Sequence, residues 1–197
     1  MPDAPRITRR RWLKLGVAGG AVLAAGGGVA ALFSWGYESK LGATDRPIAL
    51  SAKELAVARA LVEALLPGGG ALPPGLDLGV QQRVDEEVWG SEPHVARQIK
   101  QALQALEHLP VAFGHAARFT SLTPAERERV FGAMLRSDRD TVRQIALSFR
   151  QLLHVLYYGH ERTWAAMRYD GPLGLPAKPP ASHLAYARLL ARRGGRA

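Results

Sequence analysis

Between residues 51 and 158 apolar side chains recur at three- and four-residue spacings, and no stretch alternates apolar with polar residues as a half-buried strand does. The pattern predicts helices throughout. The first opens at Ser51-Ala52-Lys53-Glu54, where Ser51 can cap the helix and Glu54 can reach back to the Ser51 amide. Leu55, Ala58, Val62, Leu65 and Leu66 follow at helical spacing, with Arg59 at the border and Lys53 and Glu63 on other faces, until Pro67 and Gly68-Gly69-Gly70 stop the helix. Asp77 is expected to cap a second helix carrying Val80, Val84 and Val88, with Trp89 near its end. Pro93 suits the first turn of a third. Its stripe is Val95, Ile99, Leu103 and Leu106, and its polar side is Arg97, Lys100, Gln104 and Glu107. A second capping box, Thr123-Pro124-Ala125-Glu126, opens a helix carrying Val130, Phe131, Met134 and Leu135. The longest helix runs from about Arg139 to Tyr158. Val142, Ile145, Ala146, Phe149, Leu152, Leu153 and Leu156 give it an apolar face as wide as a bundle core needs, and Gly159 ends it. The expected fold is all-α, an irregular bundle of about five or six helices.

Two segments depart from this pattern. Leu15 to Phe33 is apolar, rich in Gly and Ala, and long enough as a helix to rise about 28 Å, close to the hydrocarbon thickness of a bilayer. Just before it stands Thr8-Arg9-Arg10-Arg11-Trp12-Leu13-Lys14. Arg9 and Arg10 form a pair, Arg11 fills a free position, Trp12 stands where Phe is usual, and Leu13 and Lys14 complete a twin-arginine export signal. A basic patch before an apolar helix is also what an N-terminal membrane anchor shows. Gly28-Val29-Ala30 is the nearest small-x-small cleavage candidate, and Trp35 and Tyr37 would suit the membrane interface of a retained segment. The chain then divides into a signal or signal anchor at 1–37, a polar, turn-prone linker at 38–50, a helical domain at 51–173 and a Pro-rich, basic tail at 174–197. Within the tail, Ser182 to Arg193 is a candidate short helix. The expected location is the periplasm, reached by the twin-arginine route, with anchoring to the inner membrane if the segment is kept.

The net charge of +9 would suggest a nucleic-acid partner were it spread over the body. It is not. Residues 1–40 hold six Lys/Arg against two Asp/Glu and residues 178–197 hold five against none, which leaves fifteen of each sign between them. No nucleic-acid partner is expected. The absence of cysteine excludes disulfides, Cys-ligated iron–sulfur clusters, thiolate zinc and haem attached through Cys-x-x-Cys-His. The six histidines, His94, His108, His115, His154, His160 and His183, form no helical metal-binding pair, although His154 and His160 flank Gly159 and could converge. No nucleophile elbow, phosphate loop or dinucleotide fingerprint is present. The sequence therefore predicts no catalytic residue, cofactor site or metal site in this chain.

Its most unusual stretch is Tyr157-Tyr158-Gly159-His160-Glu161-Arg162-Thr163-Trp164, continuing to Tyr169-Asp170-Gly171-Pro172. Such rings can pack over the end of a bundle, and clustered aromatics beside a Gly-Pro turn can equally anchor another protein. The candidate partner-binding residues are Tyr157, Tyr158, Trp164, Tyr169, Gly171 and Pro172. With Leu50-Ser51-Ala52-Lys53-Glu54 through Leu65-Leu66-Pro67, and Arg118-Phe119 followed by Leu122-Thr123-Pro124-Ala125-Glu126, this stretch resembles the small (gamma) subunit, or subunit 3, family of membrane-associated gluconate 2-dehydrogenases over about residues 50–173. Arg168, Asp170 and the longer basic tail depart from the family pattern. The resemblance implies a non-catalytic subunit that pairs with a large flavoprotein dehydrogenase of the glucose–methanol–choline type. FAD would lie in that partner, the pair would leave the cell through the twin-arginine translocase, and electrons would pass to a separate cytochrome subunit. Two other classes compete. One is a stand-alone exported helical enzyme or ligand-binding protein, with a pocket around His154, His160, Glu161 and Tyr158. The other is a membrane-tethered structural protein.

Overall fold

The first predicted helix is the hub of the molecule. In a computed structural model, which describes residues 36–171 and 179–194, helix α1 spans Ala52–Leu65 and buries nine of its fourteen residues. Ser51 and Glu54 close the expected capping box: the Ser51 amide donates to the Glu54 carboxylate at 2.8 Å, and the Ser51 hydroxyl accepts from the Glu54 amide at 3.3 Å. The sequence suggested one apolar face, but alanines at 56, 58, 60 and 64 let neighbours approach from nearly every side. Burying Leu55, Val57, Leu61 and Val62 stabilises the fold by roughly 1.5–3 kcal/mol each.

Around it pack α2 (Val80–Gly90), α3 (Pro93–His108) and α4 (Pro124–Leu135). Helix α5 (Asp140–Tyr158) lies against α2 and α4 with Val142, Ala146, Phe149, Leu153 and Leu156 turned inward. A single turn, α6 (Glu161–Trp164), follows it, and α7 (Ala181–Gly194) packs on α2. The fold is the expected all-α bundle. Among the described residues it has seven helices and no strand, the seventh helix being the four-residue α6.

Local details differ from the pattern in three places. Asp77 does not cap α2; it lies exposed in a 3-10 turn, Gly75–Leu78, and Gly79 in left-handed conformation turns the chain into the helix instead. Glu107, expected on the polar side of α3, is fully buried. Its position one turn after Leu103 and next to Leu106 places it inside the apolar stripe. Tyr37, expected at a membrane interface, is buried in the helical body, and its hydroxyl donates to Glu107 at 2.8 Å. Trp35 lies outside the described residues. The loop after α1 returns sharply through Gly68, where a side chain would come within 2.7 Å of the Pro74 nitrogen.

Residues 38–50 are a 3-10 turn, Glu38–Lys40, followed by turns, bends and irregular chain, and they are tightly fastened. The buried Asp85 carboxylate of α2 accepts from the amides of Ile48, Ala49 and Leu50 at 3.0, 3.1 and 2.6 Å. It also accepts from the Tyr186 hydroxyl of α7 at 2.6 Å, so one side chain holds both the entry to α1 and the last helix. Tyr186 is itself buried, accepts from Gln82 at 2.6 Å and lies 5.7 Å from Trp89, ring centre to ring centre.

Candidate partner-binding edge

The aromatic stretch starts where α5 runs out. Tyr157 faces inward and donates its hydroxyl to the Pro73 carbonyl at 2.7 Å, tying the end of α5 to the loop after α1. Its neighbour Tyr158 faces outward at 39 % exposure and meets Tyr157 and His154 edge-on at 5.0 and 5.7 Å. Beyond Gly159, the His160 ring accepts from the Arg162 amide at 3.2 Å and so caps α6. Thr163 is buried and donates to the His160 carbonyl at 2.7 Å, which holds the turn shut. Trp164 is thereby placed with its indole N–H on the Tyr158 carbonyl at 3.1 Å.

Tyr169 closes the motif from the other side. Its ring stands edge-on to Trp164 at 5.6 Å, and its amide donates to the Trp164 carbonyl at 3.0 Å. Arg168 takes a left-handed backbone conformation to make that return. Gly171 is required here on two counts: its φ is +96°, and a Cβ would come within 2.8 Å of the Trp164 ring. Thus Tyr158, Trp164, Tyr169 and Gly171 come together, Tyr157 lies beneath them, and Pro172 lies outside the described residues, as do Arg9, Arg10, Trp12, Leu13 and Lys14.

The edge is apolar and exposed. Val155, Tyr158, Met167 and Tyr169 are 65, 39, 39 and 46 % exposed, and they are four of the six large hydrophobic side chains that the described body leaves open to solvent. Burial lowers the pKa of His154, aided by Arg150, and of His160, aided by Arg83, which favours the uncharged rings. Burial likewise raises the Tyr157 phenol above its ordinary value. These groups offer contact area and hydrogen bonds, and the rings are fixed by their neighbours. A groove of about 440 Å³ runs along the outer face of α5 from Gln144 to Val155; it includes His154 but not His160, Glu161 or Tyr158. Among the described residues no three His, Asp or Glu side chains gather as a metal site would require, and no helix is long and apolar enough to cross a membrane.

The polar residues that the pattern missed are Glu107, Thr120, Asp85 and Arg127, all buried. Their main partners stand seven or more positions away in sequence, beyond the reach of a three- or four-residue pattern. Fold and surface together define a small all-α body with its exposed aromatic side chains concentrated at one end. Residues 52–171 match the family described as gluconate 2-dehydrogenase subunit 3, and the chain belongs to that family of dehydrogenase-complex subunits. The match runs from the start of α1 to Gly171, so it takes in the aromatic edge and excludes α7. No curated protein and no solved structure matches the chain.

Proposed function

We propose that this chain is the non-catalytic small subunit of a flavin-dependent sugar or alcohol dehydrogenase, and that it assists maturation of the catalytic subunit and carries it through the twin-arginine translocase. The observation that carries the reading is the family match over the whole bundle from α1 to α6, on a chain that also bears Thr8-Arg9-Arg10-Arg11-Trp12-Leu13-Lys14. That route moves folded cargo, so a subunit holding FAD could be loaded before it leaves the cytoplasm. The exposed edge of Tyr158, Trp164, Met167 and Tyr169 is the surface on which the large subunit would sit. The site of action is the periplasm, at the inner membrane if the N-terminal segment is retained, with a cytochrome subunit receiving the electrons.

Replacing Arg9 and Arg10 together by lysine tests the carrier role. The swap keeps the charge, so a signal read for charge alone tolerates it, whereas a receptor that reads two guanidinium groups does not. A triple variant that includes Arg11 guards against a shifted pair. The expected outcome is retention of this chain in the cytoplasm together with the flavoprotein and its dehydrogenase activity. Normal periplasmic activity and flavin content in the variant, or in a strain lacking this chain, would defeat the proposal.

A further inference from the structure

Away from the aromatic edge, one concave site is built largely from cations. A cleft of about 220 Å³ opens beside α1, walled by Lys40, Arg59, Glu63 and Arg127 over a floor of Ala56 and Ala60. The two alanines stand one turn apart, so the floor is the helix itself and the walls are long side chains rooted around it. Arg127 is almost wholly buried. Its Nε donates to the Phe119 carbonyl at 3.2 Å, its Nη2 to the Thr120 carbonyl at 3.1 Å, and its Nη1 pairs with Glu63. Lys40 donates to the same Thr120 carbonyl at 3.1 Å and to the Ser121 hydroxyl at 3.3 Å. Arg59 gives Nη1 to Asp45 at 3.0 Å. Asp45 is occupied on its other sides by the Gly42 amide and Gln81.

Counting donors leaves a surplus. A guanidinium carries five N–H groups and an ammonium three, and these contacts use one from Arg59 and two from Lys40. On the lining itself, three cations face the single carboxylate of Glu63. We propose that this cleft binds a small free oxyanion, a phosphate or a short carboxylate, held by Lys40 and Arg59, with Arg127 joining as the anion displaces Glu63. Its volume lies below the roughly 300–1,000 Å³ of drug-sized ligand sites and equals about seven waters' share of liquid volume, which suits a small anion. The inference is independent of the export role.

Calorimetric titration of the full chain in detergent with phosphate and with malonate, against chloride at equal ionic strength, tests it. Saturable binding of at least one oxyanion and none of chloride is expected. Lys40→Gln and Arg59→Gln should each weaken binding about tenfold, whereas Glu63→Gln, which releases Arg127, should tighten it severalfold. Far-UV circular dichroism of each variant confirms that the helices remain. Absence of saturable binding by both anions overturns the proposal, as does equal affinity in wild type, Lys40→Gln and Arg59→Gln. Weakening by Glu63→Gln also overturns it, because the opposite sign is what a competing carboxylate requires.

Discussion

Glu107 collects three donors in the interior: the Tyr37 hydroxyl and the Thr120 hydroxyl at 2.8 Å each, and the Thr120 amide at 3.0 Å. Glu107→Ala leaves them without an acceptor, and each stranded buried donor costs about 1–3 kcal/mol. A loss of about 3 kcal/mol or more in urea unfolding is expected, with a smaller loss for Glu107→Gln. Burial, and then Glu107, push the Tyr37 phenol up to about 12. The folded pKa exceeds the unfolded value of about 10, so the neutral phenol contributes stability that is complete below pH 10 and falls away towards pH 12. Over that window the loss reaches roughly 2–3 kcal/mol. Urea midpoints at pH 8.5, 10 and 11.5 should therefore fall more steeply for wild type than for Tyr37→Phe. The two capping boxes were legible because each is a contact between residues three apart. The Glu107 cluster was not, since its members stand 70 and 13 positions away in sequence.

At the scale of elements, periodicity located α1 to α5 well, because their apolar stripes are continuous and three of them start at a capping box or a proline. It did not reveal which helix is central. Long α5 has the broadest single face, yet short α1 is enclosed by three other helices because its small residues leave room for them. Leu61→Ala in α1 should cost about 2–5 kcal/mol, more than Leu152→Ala on the half-buried flank of α5, by thermal or urea unfolding. The docking of α7 was equally hidden, because a basic helix after a Pro-rich stretch gives no local sign of its partner. Tyr186→Phe removes the hydroxyl that spans Asp85 and Gln82. Limited trypsin digestion should then cut at Arg188, Arg192 and Arg193 sooner than in wild type, while the rest of the body stays resistant.

For the molecule as a whole, fold class was legible and the arrangement of the aromatic edge only in part. The sequence placed the rings in one stretch, but not the division of labour that puts Tyr157 inside and Tyr158 outside. That division follows from the helical turn at the end of α5 and from the Pro73 carbonyl waiting beneath it. Replacing Tyr158, Met167 and Tyr169 together by serine alters exposed side chains, and the stability change is expected to stay near about 1 kcal/mol. Under the proposed function, copurification with the proposed flavoprotein partner should nevertheless be lost. A stable variant that still copurifies at the wild-type ratio would move the partner surface elsewhere. Asp85, finally, has a consequence in time. Its last donor, Tyr186, lies 101 positions further along the chain, so a ribosome must travel that far beyond Asp85 before the entry to α1 can be fully secured. Until then Asp85 holds the Ile48, Ala49 and Leu50 amides but lacks its Tyr186 donor, and the side of Trp89 that Tyr186 packs on stays open.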